Sequence, residues 1–238
     1  MSTADGAITW TEANQRLLVA EFARLRALLG DGDAPHASAE VESLRVAMPA
    51  PAAIDTAARI FELSLFERDV LLLAAGAEMD ARLAELCAHG NGQSQRKYVT
   101  FGLALATLTD PHWSALAPIE PLRRWRLIEI DETTGLTAAR LKIDERILHF
   151  IGGPNYPDHR LGPLLDPVTP PGQMSATHRD IAARASECVR AAADRLPRLL
   201  LAGDDGPGQQ DVAAAIAAHL GVGLYRLRGA DVPTTATE

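Results

Sequence analysis

The residues with the most chemical content form one glycine-rich run, Gly203-Asp204-Asp205-Gly206-Pro207-Gly208-Gln209-Gln210. It lies between the apolar stretch Leu199-Leu200-Leu201-Ala202 and an alanine-rich stretch over 211–220. A loop that cradles phosphates reads G-x-x-x-x-G-K-[ST]. Its glycines let backbone N–H groups approach the phosphates, its lysine supplies positive charge, and its hydroxyl holds Mg²⁺. Gly203 and Gly208 stand in register with that pattern, but Gln209 replaces the lysine and Gln210 replaces the hydroxyl. A carboxamide brings no charge and is a poor magnesium ligand. Asp204, Asp205 and Asp211 place carboxylates where a polyphosphate would sit. Backbone N–H groups and the helix dipole could still attract an anion, worth roughly 0.3–1 kcal/mol. Gly203, Gly206, Gly208, Gln209 and Gln210 are therefore the nucleotide-contact candidates of a degenerate loop. This chain alone is not expected to hydrolyse ATP.

Other reactive side chains give weaker signals. His112 and His149 have no Cys, Ser or acid at a telling spacing and read as structural histidines. Cys87 and Cys188 lie far apart, each inside an apolar helical pattern, and read as core residues. No metal-ligand spacing and no catalytic pair is legible. Asp204-Asp205 reads as a loop pair.

The surrounding elements are mainly helical. Thr9-Trp10-Thr11-Glu12 is a capping box that opens an amphipathic helix carrying Leu17, Leu18, Phe22, Leu25, Leu28 and Leu29, with Gly30 as its end. Residues 30–53 read as a connecting stretch with some helix at 39–45, followed by a short helix at 57–63. Ser64-Leu65-Phe66-Glu67 is a second capping box; Gly76 divides the apolar pattern into helices over 66–75 and 77–88, a helix-turn-helix arrangement. After the polar loop 89–94, a helix is expected over 100–108. Strands are expected over 125–130 and 136–143, joined by a turn at 131–135. A helix over 144–151 follows. Helices followed by a β-hairpin make a winged-helix arrangement, the hairpin being the wing. Pro and Gly crowd residues 154–174, which read as a linker. A helix over 175–196 then precedes a strand–loop–helix–strand order across 199–227. The reading is α+β and mainly helical: an N-terminal helix over 1–30, a winged-helix domain over 31–153, the linker, and a partial α/β P-loop-like module over 175–238.

The net charge of −8 argues against a general nucleic-acid binder, which needs a cationic face to displace counterions. The N-terminus lacks the basic-then-apolar order of a signal peptide, and the apolar runs are too short to span a bilayer, so no membrane contact and a cytoplasmic location are expected. Arg96 and Lys97, with Arg123, Arg124 and Arg126 entering the wing, are the candidate partner-binding residues. A winged helix can read DNA through a recognition helix. Here the stretch expected to do so, 79–87, sets Asp80 and Glu85 against one Arg82, which favours a protein partner.

Several longer stretches carry a resemblance. They are Leu63-Ser64-Leu65-Phe66-Glu67-Arg68-Asp69-Val70-Leu71-Leu72-Leu73, Tyr98-Val99-Thr100-Phe101-Gly102-Leu103-Ala104-Leu105 and Pro111-His112-Trp113-Ser114-Ala115-Leu116. Pro121-Leu122-Arg123-Arg124-Trp125-Arg126-Leu127-Ile128 and Ile143-Asp144-Glu145-Arg146-Ile147-Leu148 complete them. Together they resemble the N-terminal, winged-helix-containing region of AAA+ ATPases encoded with bacterial contractile (phage-tail-like) injection systems. In that family a defective first nucleotide module precedes a competent one. The resemblance implies the opening part of a longer ATPase, with ATP and Mg²⁺ bound by a downstream module and none bound tightly here. It also implies injection-system proteins and AAA+ subunits as partners, in a hexamer. DNA binding, and nucleotide sensing without hydrolysis, remain as alternatives.

Overall fold

Thr9 caps the first helix by the reciprocal bonds that its spacing to Glu12 predicts. The Thr9 hydroxyl accepts the Glu12 N–H at 3.3 Å, and the Glu12 carboxylate accepts the Thr9 N–H at 2.9 Å. The computed structural model describes residues 8–131, 135–192 and 197–232. The chain divides into two units, Met1–Tyr156 and Pro157–Glu238.

In the first unit, α1 (Trp10–Leu28) buries Leu17, Leu18, Phe22 and Leu25 in the main core. Asn14, also buried, donates to the Ile151 carbonyl at 3.1 Å and accepts the Ala53 N–H at 2.9 Å. One side chain thus joins three distant segments, and α1 is a core element. The stretch read as a connection over 30–53 holds a full helix, α2 (Ala34–Val46), packed along α1. The missed signal is Asp33 followed by Pro35: the Asp33 carboxylate caps His36 N–H at 3.2 Å, and proline suits the first turn. α3 (Ala53–Phe61) and α4 (Leu65–Met79) follow, the latter opened by the Ser64–Glu67 capping box.

The expected break at Gly76 is not there. α4 continues through it, because the glycine serves packing. A Cβ on Gly76 would overlap Leu83 Cδ2 and meet the Phe22 ring at 3.1 Å. The break falls at Asp80, whose N–H closes α4 on the Gly76 carbonyl at 2.8 Å. Its carboxylate opens α5 (Ala81–Gly90) by accepting Arg82 and Leu83 N–H at 2.9 and 3.0 Å.

A short strand that the pattern did not announce, β1 (Val99–Thr100), leads into α6 (Phe101–Thr107). A 3₁₀ turn at Trp113–Leu116 and the one-turn helix α7 (Pro121–Arg124) come next. β2 (Ile128–Ile130) and β3 (Arg140–Ile143) are shorter than the strands expected over 125–130 and 136–143. Pro121 starts a helical turn, and Arg126, at φ +51°, turns the chain before the strand begins. On the return side, Ala138 N–H bonds Gly135 O at 2.8 Å, holding a turn before β3. Part of the expected wing turn, 132–134, lies outside the described residues. The sheet order is β1-β3-β2, both pairings antiparallel, with Val99 opposite Leu141 and Ile128 opposite Ile143. α8 (Glu145–Gly152) closes the unit against α1 and α3.

In the second unit, α9 (Ala176–Ala191) packs on α10 (Gly206–Leu220) through Ala182, Val212 and Ile216. Cys188 is exposed there, unlike the buried Cys87, because the core between the two helices is only a few side chains wide. Inside the stretch 154–174, a 3₁₀ turn (His159–Leu164) precedes β4 (Asp166–Val168), which pairs antiparallel with β5 (Leu224–Arg226). Residues 199–202 form no strand among the described residues, and Leu200 is 90% exposed. A parallel strand needs apolar cover on both faces, and this small cluster provides none at Leu200. The strand–loop–helix–strand order is thus only partly formed: β5 takes β4 as its neighbour. No helix among the described residues is long and apolar enough to cross a membrane.

Candidate functional site

In the second unit the glycine-rich loop is closed by its own side chains. Asp205 is the N-cap of α10, and its carboxylate accepts the Gly208 N–H at 2.9 Å. That N–H is one of the unpaired donors at a helix start that an anion would otherwise take. A Cβ on Gly208 would overlap Asp205 Oδ2 and come within 2.6 Å of His178 Cε1, so a larger residue here would displace the capping carboxylate or the imidazole. Gly203 sits at φ +145°, a conformation that glycine tolerates best. Gln209, at the lysine position, folds back and donates to the Gly203 carbonyl at 2.8 Å. Gln210 accepts from Arg226 at 3.3 Å, while Arg226 pairs with Asp166 at 2.9 Å. Gly206 is the first residue of α10 and lies exposed. A cavity of about 330 Å³ borders this loop, lined in part by His178, Asp205 and Gln209. For a nucleoside triphosphate the fit is poor: the Arg226 guanidinium that reaches the loop at Gln210 is already paired with Asp166, and the helix start is occupied by a carboxylate.

In the first unit the basic candidates fall into two groups on the outer strands of the sheet. Arg96 and Lys97 precede β1, in a loop pinned by Asn91, whose amide donates to the Arg96 and Tyr98 carbonyls at 3.1 and 2.9 Å. The Asn91 carbonyl accepts the Thr100 hydroxyl at 2.8 Å. Lys97 is exposed and borders a surface cavity of about 480 Å³ with Glu85 and His89. Arg123, Arg124 and Arg126 precede β2, with β3 between the two groups. Arg123 donates to the Leu116 carbonyl at 3.2 Å, fixing α7 on the preceding 3₁₀ turn. Arg124 lies over the Trp125 ring at 5.1 Å, and Trp125 meets Phe61 at 6.0 Å.

Trp113 and Trp125 are 61% and 52% exposed, which sets them apart from the buried aromatics Phe66 and Phe101. Trp113 rests against Phe101 at 5.6 Å. The adjoining His112 bridges two hydroxyls, Ser64 at 2.9 Å through Nε2 and Ser114 at 3.0 Å through Nδ1. Ser64 is occupied as a helix cap, and no carboxylate orients the ring, so this bridge positions the Trp113 turn. No spacing in the sequence announces a partner 48 residues away.

A buried ion network was equally illegible. Glu21 of α1 is completely buried and accepts from Arg24 at 2.8 Å, Arg45 at 2.7 Å and Arg68. Asp55 and Asp69 complete the charge balance, Asp55 with Arg45 and Arg68 at 3.0 Å, and Asp69 with Arg24 at 2.6 Å. Burial alone would push the Glu21 carboxyl up, but the charges and hydrogen bonds of Arg68 and Arg24 hold it below its usual range. Burial pushes the Cys87 thiol up to about 12, which leaves it inert. The network joins α1, α2, α3 and α4.

The helices, the β1-β3-β2 sheet and the hairpin between β2 and β3 make the winged-helix arrangement that helix-then-hairpin order predicts. Its topology revises one expectation. The helix that leads into the wing is α7, at 121–124, whereas 79–87 spans the junction of α4 and α5. No curated protein and no solved structure matches the chain. The family described as "Winged helix domain, variant" matches residues 10–165. That match spans well over half of the 238 residues, and the chain belongs to the winged helix domain (variant) family.

Proposed function

We propose that this chain is a non-catalytic recognition region whose winged helix docks a protein partner. The observation that carries this reading is the element that leads into the wing. α7 is four residues long, about 6 Å at 1.5 Å per residue, against a major groove about 12 Å wide. Leu122 is buried and Arg123 is tied to the backbone, so α7 offers little to read bases. What α7 and its C-cap residue Trp125 do offer is arginine and tryptophan, the side chains enriched at protein–protein hot spots.

The resemblance carried by residues 63–73, 98–105, 111–116, 121–128 and 143–148 supports a partner among the proteins of a bacterial contractile injection system. The chain would then be the front of an AAA+ ATPase, helping to organise a hexamer or to recruit a target. The closed loop at Gly203–Gln210 supports a spent nucleotide module, with ATP and Mg²⁺ bound elsewhere in the assembly.

Two measurements separate the readings. In a pull-down with purified sheath and tube proteins, retention of one of them is expected. In a gel shift with duplex DNA, no salt-dependent complex is expected. A complex weakening steeply with salt, and no retained protein, would favour the DNA-reading alternative instead.

A further inference from the structure

Six arginines of the first unit are neutralised by carboxylates. Arg24, Arg26, Arg45, Arg68, Arg82 and Arg140 each form an ion pair at 3.1 Å or closer. Arg123, Arg124 and Arg126 pair with no carboxylate among the described residues. The same stretch of chain carries three large apolar side chains that water reaches, Trp113, Ile119 and Trp125, with Ile119 77% exposed. The 3₁₀ turn carrying Trp113 packs against α7, and Arg124 lies over the Trp125 ring, so the segment 113–126 forms one supported ridge of chain.

Resting on the protein-recognition reading above, we infer that this ridge takes an acidic peptide segment with bulky apolar anchors. The anchors cover the tryptophans, and aspartates or glutamates pair with Arg124 and Arg126. Charge complementarity fixes the sign of the occupant: unpaired guanidiniums on a chain of net charge −8 select a local run of carboxylates. A guanidinium also takes a carboxylate bidentately, which adds orientation to attraction. Nucleic acid fits less well, because Glu120 and Glu129 flank the arginines in the chain and would repel a continuous row of phosphates.

The test is selection of random dodecapeptides displayed on phage against the full chain, followed by affinity measurements on synthesised winners. Peptides rich in Asp and Glu with Phe, Leu or Ile are expected. Their affinity should fall at least tenfold for Trp125→Ala and for Arg124→Glu with Arg126→Glu, and stay unchanged for Val46→Ser, an exposed position on α2. Circular dichroism melts verify folding, and Arg124→Ala replaces any variant that does not fold. Winners insensitive to these changes would overturn the ridge and leave partner recognition standing. Failure to enrich any peptide would overturn the inference as well. Salt-dependent binding of a 20-base-pair duplex, lost in Arg124→Glu, would overturn both readings.

Discussion

The Asp205 carboxylate accepts the Gly208 backbone N–H at 2.9 Å, so the helix start that would receive a phosphate already holds an anion of its own. Asp205 is both a helix cap and an occupant, and the chemistry lost at Gln209 is reinforced by geometry.

Nucleotide affinity should therefore depend on Asp205 more than on the missing lysine. Titration calorimetry with Mg-ATP should give background heat for the chain and for Gln209→Lys with Gln210→Thr. Adding Asp205→Gly should bring the Kd below ~1 mM, at a cap cost of only a few tenths of a kcal/mol. Tight Mg-ATP binding by the unaltered chain would contradict this account.

Glu21 ties α1 to α2 and α4 through Arg24, Arg45 and Arg68. Its loss would leave the network of three arginines with only Asp55 and Asp69 to balance them. Glu21→Gln should cost about 3–5 kcal/mol in urea denaturation at neutral pH. The pH dependence follows from the lowered carboxyl. Its contribution is present above the unfolded value of roughly 4.3 and is lost as pH falls through the lower folded value. Between about pH 5 and pH 2 the stability of the parent chain should fall more steeply than that of Glu21→Gln. Parallel curves would rule out this role.

Gly76 tests helix packing. Alanine is the better helix former by roughly 1 kcal/mol, which alone would stabilise α4. The Cβ would overlap buried Leu83 and press on the Phe22 ring, an overpacking cost of about 1–3 kcal/mol. Thermal melts of Gly76→Ala should show a net loss; a gain would mean that α1 and α5 move apart freely.

The helical half of the fold was legible where caps and apolar spacing coincide, as at Thr9 with Glu12 and Ser64 with Glu67. Gly76 misled because a packing glycine and a breaking glycine look alike in a single sequence. Asp80, which caps helices on both sides, carried the true signal. β1 is only two residues long and has no alternation to detect. The Glu21 network and the Ser64–His112 bridge join residues tens of positions apart, and no local pattern encodes such partners. The arginines at 123, 124 and 126 were legible by type. Their importance as unpaired charges beside exposed tryptophans emerged only with the ion pairs of the other arginines in view.

The most direct test of the account is biolayer interferometry of this chain against purified sheath and tube subunits, with duplex DNA as the competing ligand. The account predicts saturable binding to one of the protein subunits, weakened at least tenfold by Trp125→Ala, and no DNA response at physiological salt. Binding to DNA alone, or subunit binding indifferent to Trp125, would contradict it.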